Sequence, residues 1–98
     1  AVCHGPAAFI KAFEIFPDLF RGRRMTAFTN LEETMVLRNN NVPYKLESKL
    51  LELGVDFDSA IVPFTPHVEI DGIVVTGQNP ASAGPTAKAL IELLEAKI

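Results

Sequence analysis

The stretch Ala1-Val2-Cys3-His4-Gly5-Pro6 decides the reading of this 98-residue chain: its only cysteine has a small residue two positions before it and a glycine two positions after. A nucleophile on a sharp strand-to-helix turn needs small neighbours at both places, because the backbone doubles back and a larger side chain would strike the adjoining strand or helix. The next residues, Pro6-Ala7-Ala8-Phe9-Ile10-Lys11-Ala12-Phe13, read as the helix of such an elbow, with proline in the first turn where a missing N–H costs least. Cys3 then sits at a helix N-terminus. The dipole and unpaired amides there are expected to stabilise a thiolate and lower the thiol pKa. A lone cysteine is otherwise a buried structural residue; the small flanks and the adjacent His4 favour the nucleophile.

Working outward, composition allows one domain, spanning 1–98, with a modest core, since 48% of residues are hydrophobic. A net charge of −3, with Arg21-Gly22-Arg23-Arg24 as the only basic run, leaves no electrostatic footprint for nucleic acid. No apolar run is long enough to span a membrane and no signal peptide is visible. One cysteine cannot form an internal disulfide, which agrees with a reducing compartment, by default the cytoplasm. An elbow is entered from a buried parallel strand, yet only Ala1 and Val2 precede Cys3. The strand before it, and the part of the domain it belongs to, are therefore expected to lie outside this sequence.

Further along, residues 16–24 read as a surface loop or short turn and Met25–Thr29 as a short strand, with Asn30 capping a helix through Leu37. Glu33 falls just beyond that strand's C-terminal end, the edge where active-site residues collect in open α/β sheets. Asn39 to Pro43 is a turn, Tyr44–Leu53 an amphipathic helix with Leu46, Leu50, Leu51 and Leu53 on its apolar side, and Gly54 its stop. Two extended runs, Ile61–Ile70 and Ile73–Thr76, are joined by Asp71-Gly72, a strong hairpin signal. The last helix starts with Asn79 as N-cap and Pro80 at its first position, and Ala87, Leu90, Ile91 and Leu94 form its buried stripe. The order fits the second half of an α/β sandwich.

Four segments in this order, Ala-Val-Cys-His-Gly-Pro at 1–6, Thr-Ala-Phe-Thr-Asn-Leu-Glu-Glu-Thr at 26–34, Val42-Pro43-Tyr44-Lys45-Leu46-Glu47, and Asp-Gly-Ile-Val-Val-Thr-Gly-Gln-Asn-Pro-Ala-Ser at 71–82, resemble the ThiJ/PfpI superfamily. The nearest likeness is to its glyoxalase III-type branch, also described as stress chaperones, and to bacterial relatives of the class I glutamine amidotransferase-like kind. The resemblance implies a flavodoxin-like three-layer sandwich, usually homodimeric, of which this chain is the C-terminal part starting at the elbow. It implies a cysteine-dependent lyase that converts methylglyoxal or a related small 2-oxoaldehyde to a 2-hydroxy acid without glutathione, metal or other cofactor. Carried over by position, Cys3 matches the nucleophile, His4 its adjacent base and Glu33, in the family's Glu-Thr step, the carboxylate that orients the histidine; Glu32 beside it is the competing candidate.

Those types suit the chemistry: a thiolate attacks a carbonyl, an imidazole moves protons, a carboxylate fixes the imidazole tautomer, and the His4 N–H stabilises the oxyanion. His67-Val68-Glu69 offers a competing His-x-Glu triad, although one strand face would hold both as a plain pair. Gln78, Asn79 and Ser82 could touch a ligand or simply cap a helix. The seven phenylalanines read as core or interface aromatics rather than a cofactor box, and two scattered histidines with one cysteine give no metal site. A holdase chaperone and an intracellular cysteine peptidase stay open as alternatives.

Overall fold

Proline and glycine punctuate the N-terminal third of the computed structural model, which describes residues 1–36 and 43–97. The turn expected at 39–43, Pro43 apart, and the helix end expected at Leu37 lie outside the described residues. A 3₁₀ turn over Gly5–Ala8, with Pro6 near its start, leads into α1 (Phe9–Ile15), which buries Ile10 and Phe13 one turn apart. Pro17 disfavours helical backbone at the residue before it, so Phe16 opens to φ −130°, ψ 73° and α1 stops. The same proline starts α2 (Pro17–Phe20), a short helix within the stretch expected to be loop.

Strand β1 is confined to Arg24–Met25 and pairs in parallel with β2 (Asp56–Phe57), a strand without a sequence signal. The rest of the expected strand, through Thr29, is buried but outside any ladder; Thr26 N–H instead donates to the Thr76 hydroxyl at 2.9 Å. Helix α3 (Asn30–Met35) is capped by Thr29, not Asn30: the Thr29 hydroxyl accepts from Glu32 N–H while the Glu32 carboxylate takes Thr29 N–H, a reciprocal capping box. Helix α4 (Leu46–Glu52) buries Leu46 and Leu50, but Leu51 is exposed. Gly54 ends it at φ +93°, a left-handed conformation that glycine adopts without Cβ strain.

Strands β3 (Val68–Asp71) and β4 (Val74–Gly77) form the expected antiparallel hairpin, one residue out of the expected frame. Its two turn residues are Gly72, at φ +61°, and Ile73, at negative φ, the sign pattern of a II′ turn. Residues 61–65, expected to extend β3, are bends and turns. The final helix is preceded by a 3₁₀ turn, Pro80–Ser82, and runs as α5 from Ala83 to Lys97.

The core joins Ile10 and Phe13 of α1 to Met25, Ala27, Leu46, Leu50, Val55 and Val74. Phe20 closes it against Phe13 and Phe9, at ring-centroid distances of 4.7 and 5.4 Å. By contrast, the stripe expected to be buried on α5 is exposed: Leu90, Ile91 and Leu94 each keep about half their surface, since the β3–β4 hairpin covers only one flank of the helix. Among the described residues no helix is long and apolar enough to cross a membrane. Among the described residues the architecture is a mixed helix and strand fold with one parallel and one antiparallel strand pair.

Candidate active site

Cys3 has φ 61°, one of two non-glycine residues in the left-handed region among those described. Such backbone costs on the order of 1–3 kcal/mol and persists only where its surroundings fix it. They do here: Cys3 N–H donates to Gly77 carbonyl at 2.8 Å, Phe28 N–H donates to Cys3 carbonyl at 2.9 Å, and Gly5 N–H closes the turn on Val2 carbonyl at 2.8 Å. Val2 enters through a parallel bridge to Gly77. The small flanks have the role read from the sequence, because a Cβ added at Gly5 would stand 3.3 Å from the Ala1 Cβ. Gly77 is tighter still. A Cβ there would lie 2.1 Å from the Thr86 hydroxyl and 3.0 Å from Val2.

The turn brings Cys3, His4 and Glu33 together. Cys3 Sγ lies 3.6 Å from His4 Nδ1, and His4 Nε2 contacts Glu33 Oε1. A carboxylate at Nε2 holds the proton on that nitrogen and leaves Nδ1 free to accept from the thiol. Glu33 is buried, and its second oxygen, Oε2, has no partner among the described residues. A cavity of about 280 Å³ opens on this pair, lined by His4, Ala7, Glu33, Pro43, Tyr44 and Leu46. A hollow of about 600 Å³ lined by Ile15, Phe16, Pro17 and Asp18 is larger but carries neither nucleophile nor base.

One expectation is reversed. The thiol pKa of Cys3 is raised, not lowered: burial is the main cause, the His4 N–H on the sulfur offsets part of it, and the charges of Glu32 and Glu33 raise it further. The helical stretch after Cys3 begins as a 3₁₀ turn before running into α1, and its favourable end does not outweigh burial and two carboxylates.

The adjacent glutamates do different things. Glu32 is fully buried and accepts five hydrogen bonds, from Thr29 N–H, Thr29 Oγ1 and Gln78 Nε2 on Oε1 and from Phe64 N–H and Asn79 Nδ2 on Oε2. Burial alone would raise its pKa; bonds from Gln78, Asn79, Thr29 and Phe64 outweigh it and hold the carboxyl below the usual range. Asn79 occupies the cap position before the last helical segment without capping it, since its amide goes to Glu32 and to Thr65 carbonyl and its Oδ1 accepts from Ser82. Gln78 bridges Glu32 to Ala60 N–H. These polar residues are internal struts.

His67 and Glu69 pair with each other at 2.7 Å, and Glu69 is 3.8 Å from Arg24. The thiol contact belongs to His4. Asp58 completes with them a group whose ligand atoms lie within 4.8 Å of one another, the cluster of metal-ligand types among the described residues. A cation there would have to displace the His67–Glu69 bond and compete with Arg24. Two of the phenylalanines expected to be core or interface aromatics also wall the site: Phe28, itself buried, packs 4.7 Å from the His4 ring, and Phe64, the other left-handed residue, meets Phe28 edge-on at 5.7 Å. Aromatic content gave no hint of this, as the partners come from three separate segments.

No family model matches the chain. Over 96% of its length it is 39% identical to the probable glutathione-independent glyoxalase hsp3104 of Schizosaccharomyces pombe, 45% of which it covers. Among solved structures, Rapid Encystment Protein 24 kDa of Francisella tularensis superposes with a TM-score of 0.88 at 37% identity, over 96% of this chain and 42% of that one. Glyoxalase III of Candida albicans superposes at 0.79 and 28% identity, over 95% and 41%. The chain therefore spans less than half the length of the proteins it matches. The elbow and these superpositions place the chain in the fold that these solved structures share. Within it, the chain's homologues are glutathione-independent glyoxalases of the glyoxalase III type, which bears out the resemblance read in the sequence.

Proposed function

We propose that the protein containing this chain is a glutathione-independent glyoxalase acting on methylglyoxal or a similarly small 2-oxoaldehyde, with Cys3 as nucleophile, His4 as base and Glu33 as its orienting carboxylate. The observation that carries this reading is the run of contacts from Cys3 Sγ through His4 to buried Glu33 at a strained turn. Because the thiol pKa is raised, the sulfur is best activated as it attacks: His4 Nδ1 takes the proton while Sγ adds to the aldehyde carbon, giving a hemithioacetal. A proton then leaves C1 and returns at C2 through an enediol, which oxidises C1 to a thioester and reduces C2 to an alcohol. Water hydrolyses the thioester, releasing lactate and restoring the thiol. The net change is addition of one water, with no external oxidant or reductant.

The chain is best understood as part of a single flavodoxin-like sandwich whose remaining portion covers the exposed stripe of α5. The homologues' length and the apolar face at Leu90, Ile91 and Leu94 support this. A homodimer follows from the family resemblance, and a cytoplasmic location from the lone, unpaired cysteine. The test is lactate formed from methylglyoxal by the complete protein without glutathione, beside its Cys3→Ala variant. Cysteine-dependent lactate is expected; none from folded protein would leave the chaperone and peptidase alternatives, to be separated with unfolded and peptide substrates.

A further inference from the structure

We propose that Glu32 is a positioning residue of this site: its buried carboxylate ties three segments together and so fixes the Phe28–Phe64 pair against His4. This rests on the reading of Cys3, His4 and Glu33 as the reacting group. The Glu32 side chain is saturated by donors from the cap of α3 (Thr29), the irregular 58–65 segment (Phe64) and the link after β4 (Gln78, Asn79). All five donors are neutral, so the charge is held by dipoles alone. Burying an ionised group this way is costly unless each oxygen is satisfied, and a network of that kind is rigid when complete.

Rigidity is directed at His4. The Glu32 Oε2 bond to Phe64 N–H, 2.8 Å, sits at a residue with φ 63°, a conformation a phenylalanine adopts only under constraint. That backbone places the Phe64 ring edge-on to Phe28, and Phe28 lies against the imidazole at 4.7 Å. On the other side of the ring contact, the same Glu32 closes the capping box that starts α3, the turn from which the next residue, Glu33, reaches His4 Nε2. One carboxylate thus sets both the wall beside the imidazole and the origin of the carboxylate that grips it. Glu32 touches none of the reacting atoms, so it acts through position.

Glu32→Gln in the complete protein is the test, because the amide turns one acceptor oxygen into a donor that must face donors. The readouts are the His4 imidazole nitrogen shifts, measured by NMR, and kcat and KM on methylglyoxal. Val55→Ala, a core substitution outside the network, serves as a control for lost stability alone. Displaced His4 signals in Glu32→Gln but not in Val55→Ala, with kcat lower by about tenfold or more at little changed KM, are expected. His4 signals unchanged from the unmodified protein, or moved equally by Val55→Ala, would overturn the proposal. If Glu32→Gln does not fold, Asn79→Ala removes one of the five donors to Glu32, together with the Asn79 bonds to Thr65 and Ser82, and should move the same signals in the same direction; no movement there would overturn it too. The His4 signals decide this inference even if the unmodified protein makes no lactate, an outcome that would fall on the glyoxalase reading instead.

Discussion

Two histidine–glutamate pairs stand in this chain, one on the elbow and one at the start of the β3–β4 hairpin. Both histidines contact a carboxylate, and both carboxylates are largely shielded from water. The elbow pair has a thiol 3.6 Å from its second nitrogen, a left-handed cysteine beneath it and a carboxylate oxygen with no partner among the described residues. The hairpin pair has Arg24 at its carboxylate, with Glu69 on regular strand backbone and His67 just before that strand begins. A His–Glu pair is therefore not a site in itself: what separates the two is the strained turn that brings a nucleophile to one of them.

The strongest attempt to break the contrast is Cys3→Ala, which should cut lactate formation by at least about a thousandfold while leaving both His–Glu pairs in place. Comparable turnover in that variant would mean the thiol is incidental. Next in size, Glu33→Gln should lower kcat by about a hundredfold, and Glu69→Gln should leave it within about threefold. A similar loss from both would erase the distinction.

Packing beneath the elbow gives a smaller effect. Gly77→Ala would drive a Cβ into the Thr86 hydroxyl, Val2 and Ser82, and should lower stability by about 1–3 kcal/mol in a denaturant titration. Gly84→Ala meets nothing within 4 Å and should not.

Thiol reactivity sharpens the comparison further. With the Cys3 pKa raised by burial and by Glu32 and Glu33, the rate of iodoacetamide alkylation should climb with pH to a midpoint above that of free cysteine assayed alongside. Glu33→Gln removes one of the two negative charges, so it should move that midpoint down. Acid stability reports on the neighbouring glutamate: hydrogen bonds depress the Glu32 pKa, so its contribution is present above the unfolded value and lost as pH falls through the folded one. Glu32→Gln should therefore flatten the fall of Tm on the acid side of about pH 4.3.

How much of this could be read beforehand follows the range of each signal. The elbow, α1, the Gly54 stop and the Asp71-Gly72 turn rest on neighbours in sequence, and all are legible. Strand β2 is two residues long, too short for any alternation to show, and residues 61–65 are apolar enough to pass for a strand although bends and turns occupy them. The α5 stripe has the right period, but period alone does not supply a covering partner. At the site, Cys3 and His4 declare themselves through the elbow, and Glu33 through its place beyond the end of the expected strand together with the family resemblance. Glu32 was visible merely as a rival to Glu33, because its five donors are drawn from residues 29, 64, 78 and 79, and such a convergence has no sequence signature.

The most direct measurement is lactate formation from methylglyoxal, without glutathione, by the complete protein carrying His4→Asn or His67→Asn. His4→Asn should lose about a hundredfold or more in kcat and His67→Asn should keep activity within about threefold. Equal losses, or a loss confined to His67→Asn, would contradict the assignment of the elbow pair as the catalytic one.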